Sequence, residues 1–349
     1  MRFAQASAPA EPRLPGHIRP RRVVSLAIAA LTIIPLAAGC RVGGAASGHP
    51  VQTATITVAA IRGVDNAPLY IAARNGTFSR AGLDVRIRTY QSVFAELQAL
   101  SNGKIDIAAG DYVDFFSLVA KTNRPFLSIV ADGYHAAPGV MEVLTYPGSG
   151  VTTPRSLEHR TIGTPEPQGI PISGSKPYSL ETLATESVLG NDGVDPSLIT
   201  WKPMAESDLI GALASHKVAA ILVQEPYIFQ AESTLGAVAV LDSCSGATAN
   251  LPLSGYFATS SFVHKHSLAL SEFRSALQRA QEGAVLPGPV RAQLATDPTM
   301  NMQSASLVTI GSYPTSLNAT SLQRVADLMF TAEMPGMSHS LNVSSMIAR

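Results

Sequence analysis

From Thr53 onward the chain alternates between short β-prone runs and segments with helical spacing, and this restricts it to a small set of folds. Thr55–Ala59, Leu83–Arg88, Ile105–Ala109 and Phe126–Ala131 read as strands, either as compact apolar runs or by alternation. Between them, Pro68–Arg74 reads as a helix with Asn66 as candidate N-cap and Gly76 as its stop. Ala95–Leu100 reads as a second helix, ended by Asn102-Gly103, and Asp111 caps a third. A similar series follows a change of composition at Tyr146–Gly150. Its strands are Thr161–Gly163, Leu198–Pro203, Ala219–Val223 and Ala237–Leu241. Its helices are Leu180–Val188 and Asp208–His216, the second with Ser207 as candidate cap. After Asn250–Leu253 the pattern changes again. Tyr256–Val263 reads as a strand, and two helical faces close the chain, one through Phe273, Leu277, Ala280 and Ala284, the other through Leu322, Val325, Ala326 and Met329. Strands alternating with helices imply parallel sheets and the α/β class. At 349 residues the chain has room for two such units.

Composition narrows the function. Lys plus Arg and Asp plus Glu each number 25, and no basic stripe appears, so a nucleic-acid partner is not expected. Two cysteines make neither a disulfide framework nor a four-thiolate metal site. His264 and His266 lack a third ligand, so no metal is expected, and no cofactor fingerprint stands out. No phosphate-binding G-x-x-x-x-G-K-[ST] run and no G-x-S-x-G elbow occur, so any ATPase would be a separate chain. Cys244 reads as an inert free thiol in a loop.

The N-terminus reads as an address. Arg21-Arg22 precedes the apolar run Val23–Ala38, which is short for a membrane span and ends in small residues. Residues 1–39 therefore read as a signal peptide. Ala37-Ala38-Gly39-Cys40 resembles the bacterial lipobox, in which the cysteine is lipidated, although the usual Leu is one step further out, at Leu36. Residues 40–52, rich in Gly, Ala and Ser, read as a lipidated flexible tether. The mature protein is expected outside the cytoplasm, held to the membrane by lipid on Cys40 alone. The twin arginines leave the export route open between the general secretory and twin-arginine pathways. Removing residues 1–39 takes away five basic residues and one acidic residue, leaving a mildly acidic body.

In open α/β sheets, ligands bind beyond the carboxyl ends of strands, near helix N-termini. That rule selects Arg62, Asp65 and Asn66 after the first strand, Asp111 and Tyr112 after the third, and Asp132 and Tyr134 after the fourth. In the second series it selects Glu166, Gln168, Glu225 and Tyr227, and Tyr256 lies near the return to the first unit. Each position also suits a structural role: Asp65, Asn66 and Asp111 as helix caps, the tyrosines as core edges, Arg62 in a surface ion pair. The set is acidic and aromatic. It leans towards an amine-bearing or heterocyclic ligand over a sulfonate, although helix N-termini alone can hold an anion.

The order of short motifs resembles a known family. Asn75-Gly76-Thr77-Phe78-Ser79-Arg80-Ala81-Gly82-Leu83-Asp84-Val85 is similar to its "G-x-F-x-x-x-G-L-x-V". Ala99-Leu100-Ser101-Asn102-Gly103-Lys104-Ile105-Asp106-Ile107-Ala108 is similar to "A-L-x-x-G-x-I-D-I-A". Ala212-Leu213-Ala214-Ser215-His216-Lys217-Val218-Ala219-Ala220 resembles "A-L-x-x-G-x-V-D-A", with His216 and Ala219 as departures, and Glu225-Pro226 follows as the family's "E-P" does. The family comprises the extracytoplasmic substrate-binding proteins of ABC importers in the SsuA-like nitrate, taurine, aliphatic-sulfonate and thiamine-pyrimidine group. The resemblance implies a two-lobed periplasmic-binding-protein fold of type II, with lobe one over 53–148 plus 254–349 and lobe two over 149–253. It implies a receptor that closes on a small molecule and passes it to an ABC permease with its own ATPase subunit, without catalysis. Two other readings remain at this point: an enzyme on the same fold, such as a lyase acting on a small acid, and a sensor lipoprotein.

Overall fold

The computed structural model describes residues 53–348, except 91, 123–125, 168–175 and 299. The first four strands are β1 (Ala54–Ala59), β2 (Leu83–Arg88), β3 (Ile107–Asp111) and β4 (Leu127–His135). The next five are β5 (Met141–Thr145), β6 (Thr161–Pro165), β7 (Thr200–Met204), β8 (Ala220–Gln224) and β9 (Val238–Asp242), and β10 (Pro252–Thr259) is the last. They form two five-stranded sheets, ordered β2-β1-β3-β10-β4 and β7-β6-β8-β5-β9. In the first, β1 pairs in parallel with β2 and β3, and β10 runs antiparallel between β3 and β4. In the second, β6 pairs in parallel with β7 and β8, and β5 runs antiparallel between β8 and β9. Each sheet thus takes its antiparallel strand from the first element after the chain crosses over. The result is the two-lobed type II fold that the resemblance implies.

Twelve helices accompany the strands among the described residues. The first lobe has α1 (Ala67–Arg74), α2 (Thr77–Arg80), α3 (Val93–Ser101) and α4 (Tyr112–Thr122). The second has α5 (Leu180–Asn191), α6 (Glu206–Ala214) and α7 (Tyr227–Leu235). The remaining five follow the return: α8 (Ser260–Lys265), α9 (Ser267–Gly283), α10 (Pro287–Leu294), α11 (Met302–Leu307) and α12 (Ala319–Thr331).

The local sequence accounts for these elements. The first four residues of β8, Ala220 to Val223, are all buried, as expected of a strand covered on both faces. Edge strand β2 instead turns Arg86 and Arg88 outward, which discourages pairing with another chain. Gly76 stops α1 and opens α2 in the left-handed region, at φ 69°, where a side chain is disfavoured. Ser92 caps α3 by accepting the Ala95 N–H at 3.2 Å. Ser92→Ala is expected to cost about 1 kcal/mol in urea unfolding, the usual loss for an N-cap hydroxyl. Phe273 of α9 stacks on Phe78 of α2 with ring centroids 5.3 Å apart, fastening the C-terminal helices to the first sheet.

Three sequence expectations shift. Met141–Thr145 is a strand of the second sheet, so the first crossing spans 136–140 rather than lying at 148–149. The apolar residues before Tyr146 belong to the far lobe because β5 must fill the gap between β8 and β9. The strand expected to reach Val263 ends at Thr259, whose hydroxyl accepts the Phe262 N–H at 3.2 Å and starts α8. Asn66 precedes α1 but makes no side-chain cap. Its amide donates instead to the Ile61 carbonyl at 3.1 Å and to Asp65 at 2.9 Å.

The two crossings run side by side. Ser243 N–H donates to the Met141 carbonyl at 2.9 Å, and Ala136 N–H donates to the Leu251 carbonyl at 2.9 Å. Arg324 of α12 braces the return crossing, donating to the carbonyls of Ala247 at 2.7 Å and Ala249 at 2.9 Å.

Candidate functional site

The carboxyl ends of strands from both sheets face one cavity of about 400 Å3. This lies within the range of about 300–1,000 Å3 common for small-molecule sites. From the first lobe come Asp65 and Asn66 after β1, and Asp111 and Asp114 where β3 passes into α4. Tyr134 of β4 forms a side wall. From the second come Glu166 after β6, Gln224 and Glu225 after β8, and Glu181 and Glu206 in the first turns of α5 and α6. No lysine or arginine lines the cavity among the described residues.

The acids are held by neutral donors. Asp65 accepts from Asn66 at 2.9 Å. Asp111 accepts the N–H groups of Val113 at 2.5 Å and Asp114 at 3.3 Å, closing the N-terminus of α4. Glu181 accepts the Gln224 amide at 2.8 Å. Glu225 accepts the Phe229 N–H of α7 at 3.2 Å and the Thr309 N–H at 2.9 Å, tying the second lobe to the C-terminal segment. Burial pushes the Asp65 carboxyl up to about 6. Burial, with Asp114 and Glu181 nearby, lifts Asp111 well above its ordinary value. Burial raises Glu225 as well, against the pull of its backbone donors. Protons are therefore held more tightly here than on exposed carboxylates.

Asp65, Asn66, Asp111, Tyr134, Glu166 and Glu225, all selected from the sequence, line the cavity together. Others do not reach it. Tyr112 is wholly buried, and its hydroxyl donates to Asp132 at 2.8 Å. It occupies the space beside Gly255, where any Cβ would collide with the ring and hydroxyl. Asp132 is 2% exposed and serves this core network, meeting His135 Nε2 at 2.9 Å. Tyr256 packs edge-on to Phe273 in the core of the first lobe. All three follow the strand-end rule in sequence, but the first turn of α4, β4 and β10 carry these side chains into the core. Arg62 lies over the Tyr70 ring, 4.9 Å from its centroid, in a separate small recess with Pro226. Tyr227 begins α7 and is not in the lining. Gln168 and Cys40 lie outside the described residues. Cys244 is free and buried, and desolvation pushes its thiol up to about 12, which keeps it unreactive.

The sequence reading missed Asp114, Glu181 and Glu206. Their signal was present, because each is an acidic residue in the first turn of a helix that follows a strand or loop. Such residues ordinarily complement the helix dipole, so they do not stand out as ligand contacts.

Several known proteins are similar to this chain. The profile of the NMT1-like family matches residues 49–294. No curated protein matches. Among solved structures, the periplasmic aliphatic sulphonate-binding protein SsuA of Escherichia coli superposes with a TM-score of 0.67 at 15% identity, covering 84% of this chain and 97% of that one. The periplasmic nitrate-binding protein NrtA of Synechocystis gives a TM-score of 0.56 at 15% identity, covering 73% and 69%. DszB, solved as a mutant in complex with biphenyl-2-sulfinic acid, gives 0.64 at 13% identity, covering 85% and 96%. At these identities the structures establish a common fold. Because the family profile spans well over half of the sequence, the chain belongs to the NMT1-like family.

Proposed function

We propose that this protein is the solute-binding receptor of an ABC importer, exported from the cytoplasm and anchored by lipid on Cys40. One observation carries the reading: a single cavity is lined by strand ends of both sheets, so a small organic molecule in it touches both lobes at once. Binding of that kind stabilises a closed form over an open one, because only the closed form offers both sets of contacts. The closed, loaded receptor is what a permease would recognise. The membrane-bound permease and its ATPase are separate chains.

The anchor has a direct test. Cys40→Ala is expected to move the protein from the membrane fraction to the soluble fraction, read by fractionation of expressing cells. Retention of the variant on membranes would remove the lipid from the proposal. For the receptor, the full chain in detergent is titrated with small molecules and followed by thermal unfolding. A ligand at one hundred times its Kd should add about 2.7 kcal/mol of stability. DszB shares the fold, so the same samples are assayed for product. Turnover instead of retention would replace the receptor with an enzyme.

A further inference from the structure

The cleft of a receptor for sulfonate or nitrate would be expected to present free helix N-termini or basic side chains to its ligand. Here four of the helix starts carry the protein's own acidic side chains. Asp111 takes the first N–H groups of α4, and Glu225 takes the Phe229 N–H of α7. Glu181 and Glu206 stand in the first turns of α5 and α6. Acidic side chains thus take N–H groups of α4 and α7 and stand in the first turns of α5 and α6, where an anion would have to displace or face them.

The cations nearest in sequence are engaged elsewhere. Arg62 lies over Tyr70, and Lys176 pairs with Glu186 at 2.6 Å. Residues 168–175, which follow the Glu166 wall, contain no charged residue. A buried side chain behind the cavity adds an independent sign. Glu96 of α3 is 0% exposed, and neither of its carboxyl oxygens has a hydrogen-bond partner. The charges that bear on it are those of Asp65 and Asp114, both in the cavity lining, and Val93, one turn earlier on the same helix, lines the cavity as well. An unpartnered buried carboxyl under the influence of two other acids keeps its proton, and a cation entering the cavity would favour its ionised form. The acids fall into two groups, Asp65, Asp111 and Asp114 on the first lobe and Glu166, Glu181, Glu206 and Glu225 on the second.

We propose that the ligand of this cleft is a small organic cation with two basic nitrogen groups, ammonium or amidinium, one held by the acids of each lobe. The assignment rests on the receptor reading above and names its substrate class. It makes the charge pattern a selectivity device: each group lost from the ligand leaves a set of carboxylates facing one another across a closed cleft.

The test uses the full chain in detergent, titrated by calorimetry at pH 7.5 with α,ω-diaminoalkanes of increasing length, their mono-amidino derivatives, the corresponding monoamines, aliphatic sulfonates and nitrate. A diamine or amino-amidine is expected to bind at least tenfold more tightly than the matching monoamine, with no heat from sulfonates or nitrate. Glu206→Gln is expected to weaken the dication tenfold or more while leaving the monoamine nearly unchanged. Glu206→Asp should restore part of the loss. Binding of a sulfonate or nitrate without an amine overturns the cation assignment and leaves the receptor standing. Heat from none of the compounds overturns the cation assignment, and the receptor reading then stands or falls on the wider thermal screen. Equal affinity for monoamine and dication, or an unaffected Glu206→Gln variant, overturns the two-lobe arrangement.

Discussion

Asp132→Ala is expected to destabilise the protein by about 3–5 kcal/mol, the usual cost of removing one partner from a buried charged network. The Asp132 carboxylate accepts three hydrogen bonds: Tyr112 OH at 2.8 Å, its neighbour Gly133 N–H at 3.0 Å, and His135 Nε2 at 2.9 Å. Tyr112 has 0% exposure and His135 5%, so water cannot replace the lost acceptor without opening the core. The Gln281 amide, donating to the Asp132 carbonyl at 2.8 Å, ties the same point to α9. Urea unfolding measures the loss. Tyr112→Phe removes one donor only and should cost about 1–2 kcal/mol. Ligand affinity in Tyr112→Phe should change less than twofold. A large loss of affinity at unchanged stability would return Tyr112 to the binding site.

The second large effect is a dependence of stability on pH, and its sign is opposite to that of an ion-paired carboxylate. Glu96 rises from 4.5 to about 8, through burial first and then the charges of Asp65 and Asp114. The folded protein therefore holds a proton that the unfolded chain releases near pH 4.5. The stabilisation is fully present below that value and is lost as pH rises through about 8. Asp65, raised to about 6, acts in the same direction at lower pH. At about 1.4 kcal/mol per pH unit, discounted for relaxation around the charge, Glu96 alone accounts for about 3 kcal/mol between pH 5 and 9. Glu96→Gln keeps the shape and cannot ionise. Urea midpoints for the wild type should fall over this interval, while those of the variant should fall less, by the share of the other raised carboxyls such as Asp65, Asp111 and Glu225. Parallel decline in the two proteins would show that the carboxylates of the cavity itself, not Glu96, carry the dependence.

Much of the fold was legible because strand and helix periodicities are local. β1, β2, β8 and β9 lie within a residue or two of their sequence assignments, and Asp111 caps α4 as its position predicts. The N-terminal side of the second lobe was harder to place. Met141–Thr145 is an ordinary apolar run, and nothing local says which of two sheets it will join. That choice depends on the gap between β8 and β9, both far from Met141–Thr145 in the chain. The segment after Thr259 shows a related limit. Tyr256–Val263 has a strand-like composition throughout, yet the Thr259 hydroxyl captures a backbone N–H and turns the segment into α8. A single cap therefore outweighed the β preference of the following residues.

By itself the sequence determined the α/β class, the two series of strands, and the acidic and aromatic character of their ends. These are properties of short windows and of composition. Only the tertiary structure decided which strand-end residues meet. Tyr112 and Asp132 obey the same rule as Asp111 and Tyr134, but they turn into the core, where Gly255 leaves room for the Tyr112 ring. Conversely, Asp114, Glu181 and Glu206 sit as ordinary first-turn acids in sequence and line one cavity in space. The reason is that the pairing of β4 with β10 shifts between Asp132 and Tyr134, so plain alternation does not give their sides, while the cleft is assembled from elements far apart in the chain. Local pattern can specify what stands at a strand end, and packing between the two sheets specifies whether it faces a ligand or the core.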